Sequence, residues 1–191
     1  NGELVDEIKF FEKAKEMNLR NSVFVDITAN ESVALTYPNY LRENIAVVAC
    51  NKIACSGKLK YYNKLKNLSK KYNTPLLFET NVGAGLPVID TLNHLITSGD
   101  KINSIYAVLS GSLNFIFNKY KGDQKFSNII KQAQDQGFTE PDPRIDLSGV
   151  DVARKLLILA RESGFSIEFD DIDNNTFLPD GSMQQNTVDE F

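Results

Sequence analysis

Cysteine is scarce in this 191-residue chain, which holds only Cys50 and Cys55. Two thiols cannot build the disulfide framework of a small secreted domain, and with no second Cys/His pair their spacing fits no zinc motif. They read as reduced thiols in a cytoplasmic protein. Long apolar runs are also missing. Nothing approaches the ~20 residues that a bilayer span requires, and the opening NGELVDEIKFF is too acidic for a signal peptide. Positive charge is not in excess: the net charge is -4 and no basic stripe marks a nucleic-acid surface. Neither nucleic acid nor membrane is therefore expected as a partner. Internal repeats and low-complexity tracts are absent. The single histidine, His94, lies in an amphipathic helical segment and reads as a packing or surface residue. With 42% hydrophobic and 24% charged residues, the composition is that of a globular protein, against disorder or a coiled coil.

One more absence bears on function. A doubly wound dinucleotide domain opens with a strand and a G-x-G-x-x-G turn. This chain opens on a helical pattern, and its one glycine-dense turn, Gly83-Ala84-Gly85, sits mid-chain without the later glycine. The expectation is that a first βαβ unit lies upstream of Asn1.

What is present alternates. Val5 to Met17 has helical spacing, with Ile8, Phe11 and Lys15 in step, Phe10 and Ala14 beside them, and Asn18 and Asn21 closing it. SVFVDI (22–27) and IAVVAC (45–50) are β-branched runs suited to buried strands, and Leu76 to Glu79 is a third. Between them fall helical segments at Pro38 to Glu43 and at Lys58 to Lys71, the latter with Tyr62, Leu65 and Leu68 inward. Strand–helix alternation predicts a parallel sheet with crossover helices, an α/β fold. After the turn from Asn81 to Pro87 the character changes. Helices are predicted at Val88 to Ser98, Phe126 to Gln136 and Asp151 to Ser163, the last stopped by Gly164. A strand is predicted at Ser104 to Leu109, and the acidic tail from Asp170 carries a Pro-Asp-Gly turn. A domain boundary is expected near Gly83 to Pro87. It would leave a partial nucleotide-binding domain over 1–83 and an α+β substrate-binding domain over 84–191.

Three segments hold residue types that core packing does not require. GFTEPDPRID (137–146) carries Glu140, Asp142, Arg144 and Asp146 between and beyond two prolines. The prolines argue against helix or central strand. Such a loop is either a solvated connector or a preorganised binding loop that loses little entropy on binding. DVARKLLILARES (151–163) places Lys155 four residues after Asp151, beside a stripe of Val152, Leu156, Leu159 and Ala160. Ser148 and Asp151 have capping-box spacing. The pair is either a surface ion pair or a lysine oriented for proton transfer at the rim of a cleft. Ala49-Cys50-Asn51-Lys52 ends a predicted strand, the edge where open α/β sheets bind ligands, so Asn51 and Lys52 are placed for a ligand. The turn ETNVGAGLP (79–87) adds a carboxylate and several carbonyls, an oxygen-rich arrangement that hard cations use.

VDITAN (25–30), VVACNK (47–52), ETNVGAGLPVID (79–90), LSGSLNFIFN (109–118) and GFTEPDPRIDLSGVDVARKLLILARESG (137–164), in this order, resemble homoserine dehydrogenase. The likeness is strongest to the dehydrogenase half of the bifunctional aspartokinase–homoserine dehydrogenases and runs from about 22 to 170. The resemblance implies an oxidoreductase of the threonine and methionine branch that interconverts homoserine and aspartate 4-semialdehyde with NADP or NAD. It implies Lys155 as acid/base, with Asp151 orienting the substrate and Lys52 at the nicotinamide edge. Glu140 would lie near the substrate amino group, and Asp146 with Asp151 and Lys155 would complete the substrate set. Thr28, Ala29, Asn51 and Lys52 would line the cofactor pocket. Glu79 with the carbonyls of Val82, Ala84 and Leu86 would hold a monovalent cation, usually sodium, and the substrate-binding half would form a homodimer. A derived dimerisation module without activity, or a dehydrogenase of another small amino or hydroxy acid, are the alternatives.

Without a phosphate-gripping helix N-terminus, the 191 residues alone are expected to bind NADPH poorly and turn over little. Titration calorimetry checks this, and micromolar binding would contradict it.

Overall fold

The computed structural model describes residues 6–175, 178–179, 181–185 and 187. They form two compact units: one of residues up to Ile102 with Leu157–Phe169, the other of Asn103–Leu156 with the segment from Asp170 on.

The first unit opens on helix α1 (Glu7–Met17). The Asp6 side chain caps it by accepting from the Ile8 and Lys9 amides at 3.0 Å each, and Asn18 ends it in the left-handed region. Of the expected inward stripe only Phe11 is fully buried, its ring edge-on to Tyr40 at 5.1 Å. Ile8 and Phe10 remain exposed. Val5, where this helix was expected to begin, lies outside the described residues.

The three β-branched runs become β1 (Val23–Asp26), β2 (Ala46–Ala49) and β3 (Leu76–Leu77), a parallel sheet in the order β1-β2-β3. Val23 lies opposite Ala46, and Val47 opposite Leu76. Parallel neighbours require crossovers. Helices α2 (Glu31–Ala34) and α3 (Tyr37–Arg42) make the first, α4 (Ile53–Ser56) and α5 (Leu59–Tyr72) the second. The core is Tyr37, Tyr40, Leu41, Val47 and Leu65, with Phe24 stacked on Tyr40 at 4.0 Å. Tyr62 and Leu65 face inward on α5 as the spacing predicts, and Leu68 is half-buried. The expectation of a buried first strand is corrected: β1 is the edge strand, and Val23 and Val25 are more than half exposed. Only Asp26 of β1 is buried.

Helix α6 (Val88–Thr97) belongs to this unit, so the compact unit extends past the expected boundary at 83–87. The cause is local. The Glu79 carboxylate accepts the Ile89 and Asp90 amides at 2.8 Å each and ties the first turn of α6 to the end of the sheet.

The second unit contains α7 (Gly111–Lys119), α8 (Phe126–Asp135), α9 (Pro143–Leu147) and the first half of α10 (Val150–Glu162). Ile116, Ile129, Ile130, Ala133 and Leu147 form its core, with Leu113, Phe115 and Phe126 packed against them. Two expectations fail here. Ser104 to Leu109 has no ladder partner among the described residues and runs as unpaired chain, with Tyr106 94% and Val108 75% exposed. The proline-rich stretch was read as a loop throughout, yet Pro143 begins α9. At the first helical position proline's fixed φ suits the helix and its missing N–H costs nothing. The Asp142 side chain caps that helix through the Arg144 amide at 3.0 Å. In the tail, Ser182 N donates to Pro179 O at 3.1 Å as the turn signal suggests, and Asp180 lies outside the described residues.

The second half of α10 is anchored inside the first unit. The Arg161 side chain has no exposed surface. Its guanidinium donates to the carbonyls of Cys55 (2.8 Å), Gly57 (2.7 Å) and Ile167 (3.0 Å) and pairs with Glu168 at 3.1 Å. Glu168 in turn accepts the Leu59 amide and caps α5, whose own cap residue Lys58 makes no side-chain cap bond. Beside it Glu162, also buried, accepts from the Tyr62 hydroxyl and from Lys66 Nζ at 2.9 Å. Burial, with Glu162 adding its charge, pushes the nearby Cys55 thiol up to about 12, which makes it inert. Both cysteines are free thiols.

Removing the guanidinium strands the buried Cys55 carbonyl and the part-buried carbonyls of Gly57 and Ile167, and takes away the ion-pair partner of Glu168, the residue that caps α5. Arg161→Ala is expected to lower stability by about 3 kcal/mol, and Tm by roughly 6–12 °C at this chain size, as read by thermal unfolding. A loss below 1 kcal/mol would contradict the clamp.

Candidate active site

The substrate-side residues gather in the second unit around α10. Lys155 and Asp151, one turn apart on its first half, form an ion pair of 2.7 Å. The Lys155 side chain is only 18% exposed. Its Nζ also donates to the Leu109 carbonyl at 2.7 Å, which ties the unpaired 101–110 segment to the helix. A free surface ion pair would not hold a lysine this way; the second acceptor comes from 46 residues earlier and fixes the ammonium in place. The expected capping box does not form. Ser148 sits at the end of α9, donates to Ile145 O at 2.8 Å, and meets the Val150 amide at 3.3 Å, with left-handed Gly149 intervening. Asp151 is engaged with Lys155 instead. The predicted stripe of α10 is also out of phase: Ala153, Leu157, Ile158 and Leu159 are buried, while Val152 is only partly so and Leu156 is exposed.

The residue after Leu109 starts a second chain of contacts. Ser110 caps α7 through the Leu113 amide, and its hydroxyl lies 2.9 Å from that of Ser112. Ser112 donates to Asp146 Oδ1 at 2.8 Å, and Asp146 Oδ2 accepts the Glu140 amide at 2.9 Å. Asp146 therefore uses both oxygens inside the protein, joining α7 to the loop that carries Glu140, whose side chain stays exposed. Asp142 and Arg144 neutralise one another through a pair at 2.6 Å, and the guanidinium holds the Asp142 carboxyl below the usual carboxylate range.

The cofactor-side residues belong to the first unit, at the C-terminal edge of its sheet. Asp26, 1% exposed, closes β1. Its carboxylate accepts from the Tyr37 hydroxyl (2.6 Å), the Asn51 amide (3.0 Å) and the Thr28 backbone N–H (2.7 Å). Burial pushes this carboxyl up, but the donors outweigh it and hold it below its usual value. Its ionised form therefore stabilises the fold above the ordinary carboxylate range, and that contribution is lost as pH falls through the depressed folded value. Asn51, expected to line a ligand pocket, is 2% exposed and internal. It bridges Asp26 to the Asn30 carbonyl at 2.9 Å and accepts the Ile53 amide at 3.0 Å. Thr28 and Ala29 are exposed on the intervening loop, and Lys52 is half-buried at the start of α4. Asn81 is fully buried, and its amide is satisfied when assigned with the nitrogen toward the carbonyls of Ala49 (2.9 Å) and Cys50 (3.0 Å), an assignment that closes the third strand end onto the second.

The 79–87 turn reverses direction through left-handed Gly83 and Ala84. A Cβ on Gly83 would come within 2.5 Å of Val88 Cγ2, so this position needs glycine twice over. The Glu79 carboxylate caps α6 with one bond to each oxygen, which leaves lone pairs for a cation. The Leu86 carbonyl accepts the Val88 amide at 2.9 Å. Among the described residues no group of three or more His, Cys, Asp or Glu could hold a metal. His94 is at the surface, 3.6 Å from Asp90.

Asp26, Tyr37 and Asn81 were not singled out from sequence. The available signal was a carboxylate closing an otherwise apolar strand, SVFVD, where a buried charge demands partners.

A parallel sheet with polar residues gathered at its C-terminal edge is the layout of a nucleotide-binding α/β fold, and the other unit carries the half-buried Lys155–Asp151 pair. Two family models match in tandem: "Homoserine dehydrogenase, NAD binding domain" over residues 3–79 and "Homoserine dehydrogenase" over 87–189. The chain belongs to the homoserine dehydrogenase family. It is 47% identical over 171 residues to a chloroplastic bifunctional aspartokinase/homoserine dehydrogenase 2 of Arabidopsis thaliana, covering 90% of this chain and 19% of the relative. Among solved structures, a Candida auris protein of unknown function matches with a TM-score of 0.90 at 35% identity, covering 99% of this chain and 54% of that one. A hyperthermophilic archaeal homoserine dehydrogenase in complex with NADPH matches at 0.75 and 30% identity, covering 87% and 50%. The chain thus spans about a fifth of the curated relative's length and about half of each solved structure. No helix of the described residues is long and apolar enough to cross a membrane.

Proposed function

We propose that the full-length protein carrying this chain interconverts homoserine and aspartate 4-semialdehyde with NADP or NAD, on the way to threonine and methionine. The observation that carries this is the double tether of Lys155, to Asp151 and to the Leu109 carbonyl, within the segment matched to homoserine dehydrogenase. When bound, the nicotinamide supplies the hydride acceptor. The chain's own residues handle everything else. Oxidation takes a proton from the substrate hydroxyl as the carbon loses hydride, and the reverse returns it. An ammonium has three donors. On Lys155 two are engaged within the protein. In the oxidation direction the residue acts as the neutral amine, whose two N–H groups keep those acceptors while its lone pair takes the hydroxyl proton. The ammonium so formed gives the proton back in the reverse direction.

Homoserine carries an ammonium as well as a carboxylate. The exposed Glu140 side chain suits that ammonium, on a loop whose backbone Asp146 holds still, so Asp146 serves the substrate set by positioning. Thr28, Ala29 and Lys52 remain accessible at the sheet edge where open α/β folds bind ligands, and Asn51 supports them from beneath. Glu79 and the carbonyls of Val82, Ala84 and Leu86 would hold a sodium ion, which would stiffen the turn rather than touch substrate. The protein acts as a homodimer formed through its substrate-binding half, in a reducing compartment such as the cytoplasm, consistent with its free thiols.

In the full-length protein, Lys155→Met is expected to lower kcat for homoserine oxidation at least ~100-fold, the range of a lost acid/base group, with NADPH affinity within a few-fold of the parent. Steady-state kinetics with a fluorescence titration of NADPH checks this. Activity near that of the parent would overturn the assignment.

A further inference from the structure

We infer that Asp26 is the positioning residue of the nicotinamide-cofactor pocket: its buried carboxylate fixes the 27–30 loop and Asn51 together, and through them the surface that Thr28 and Ala29 present. The inference rests on the dehydrogenase reading and adds a residue to it.

The geometry assigns separate work to each oxygen. Oδ1 accepts the Thr28 amide, while Oδ2 accepts both the Tyr37 hydroxyl and the Asn51 side-chain amide. The loop is then locked from its far end. Thr28 Oγ1 accepts the Asn30 amide at 3.1 Å, Asn30 Oδ1 caps α2 through Ser32 N at 2.7 Å, and the Asn30 carbonyl accepts from Asn51. Three segments that follow or support the sheet edge, 27–30, 51–53 and the start of α3, therefore converge on one carboxylate. The loop between them is exposed and has little apolar packing of its own, so hydrogen bonding sets its conformation. A buried carboxylate held by neutral donors costs stability unless those donors are complete. Every donor here is either an uncharged side chain or a backbone amide of the loop that faces the ligand edge.

The isosteric change Asp26→Asn is informative because it cannot satisfy all partners. With its NH₂ at the Oδ2 position it opposes the Asn51 NH₂; at Oδ1 it opposes the Thr28 N–H. Either orientation releases one side of the loop. Tyr37→Phe removes a single donor from the same oxygen and leaves the loop bonds in place.

In the full-length protein, NADPH dissociation constants from fluorescence titration, KM and kcat with homoserine, and Tm would be measured for both variants. The inference predicts that Asp26→Asn raises the NADPH dissociation constant and cofactor KM at least tenfold. The homoserine KM should stay within about twofold and kcat within a few-fold. Tyr37→Phe should move the cofactor terms in the same direction by less. Should Asp26→Asn fail to fold, the Tyr37→Phe cofactor shift alone decides. Unchanged NADPH affinity in the folded variants, whether or not Tm falls, would overturn the inference. A parent protein that binds NADPH but leaves homoserine unoxidised would defeat the substrate reading and leave the Asp26 prediction standing on its binding data.

Discussion

Lys155 owes its place to two acceptors, one a helical turn away and the other 46 residues earlier in the chain, and the contacts of the second unit run outward from it. Asp151 is its neighbour by helical spacing, an interaction that alone holds a side chain only weakly. The Leu109 carbonyl is different in kind: it is a backbone group fixed at the start of α7, and it gives the ammonium a defined position. From the next residue onward, Ser110, Ser112 and Asp146 carry the constraint to the loop bearing Glu140. The groups expected to hold the two ends of a small zwitterion are thereby connected by bonds no longer than 2.9 Å. Preorganisation of this sort lowers the entropic cost of binding.

Among the buried charges of the sheet-bearing unit, Arg161 and Asp26 solve the desolvation problem differently. Arg161 is enclosed by carbonyl oxygens and one carboxylate, so its donors satisfy the end of α4 and hold Glu168, which caps α5. Asp26 is enclosed by a phenol, an amide and a backbone N–H. The first arrangement consolidates packing. The second fixes a loop at the edge where parallel sheets take ligands. Because α10 carries Lys155 on one half and Arg161 on the other, one unbroken helix holds both the proposed acid/base residue and the Arg161 anchor.

Elements whose cause is local could be read from the sequence. The three parallel strands and α5 follow from apolar runs and periodicity, and α10 as an element, though not its buried face, from its helical pattern and glycine stop. Asn18 does end α1 in the left-handed region, and Gly164 has the positive φ expected after α10. The failures share a different origin. Ser104 to Leu109 has strand composition, but a strand exists only with a partner, which composition does not supply. Ser148 and Asp151 have capping spacing, but competing local bonds claimed both residues: the Ser148 hydroxyl donates to Ile145 O at the end of α9, and Asp151 pairs with Lys155 one turn on. Pro143 was read as a breaker when its position made it a helix start.

The candidate site was legible to a similar degree. Residue type and order drew attention to Lys155, Asp151, Glu140 and Glu79, because chemistry-bearing side chains stand out against a helical or strand pattern, and the resemblance added Thr28. Their roles were not legible. That Asn51 and Asp146 bond inward, and that Asp26 gathers three segments, depends on contacts spanning 11 to 34 residues in sequence. Spacing rules reach only a turn or two.

A crystal structure of the full-length protein with NADP and homoserine bound tests the central claim most directly. The account predicts the homoserine hydroxyl about 3 Å from Lys155 Nζ, with the Asp151 and Leu109 contacts retained. Substrate seated away from Lys155, or a Lys155 ammonium turned to solvent with the Leu109 carbonyl left behind, would contradict it.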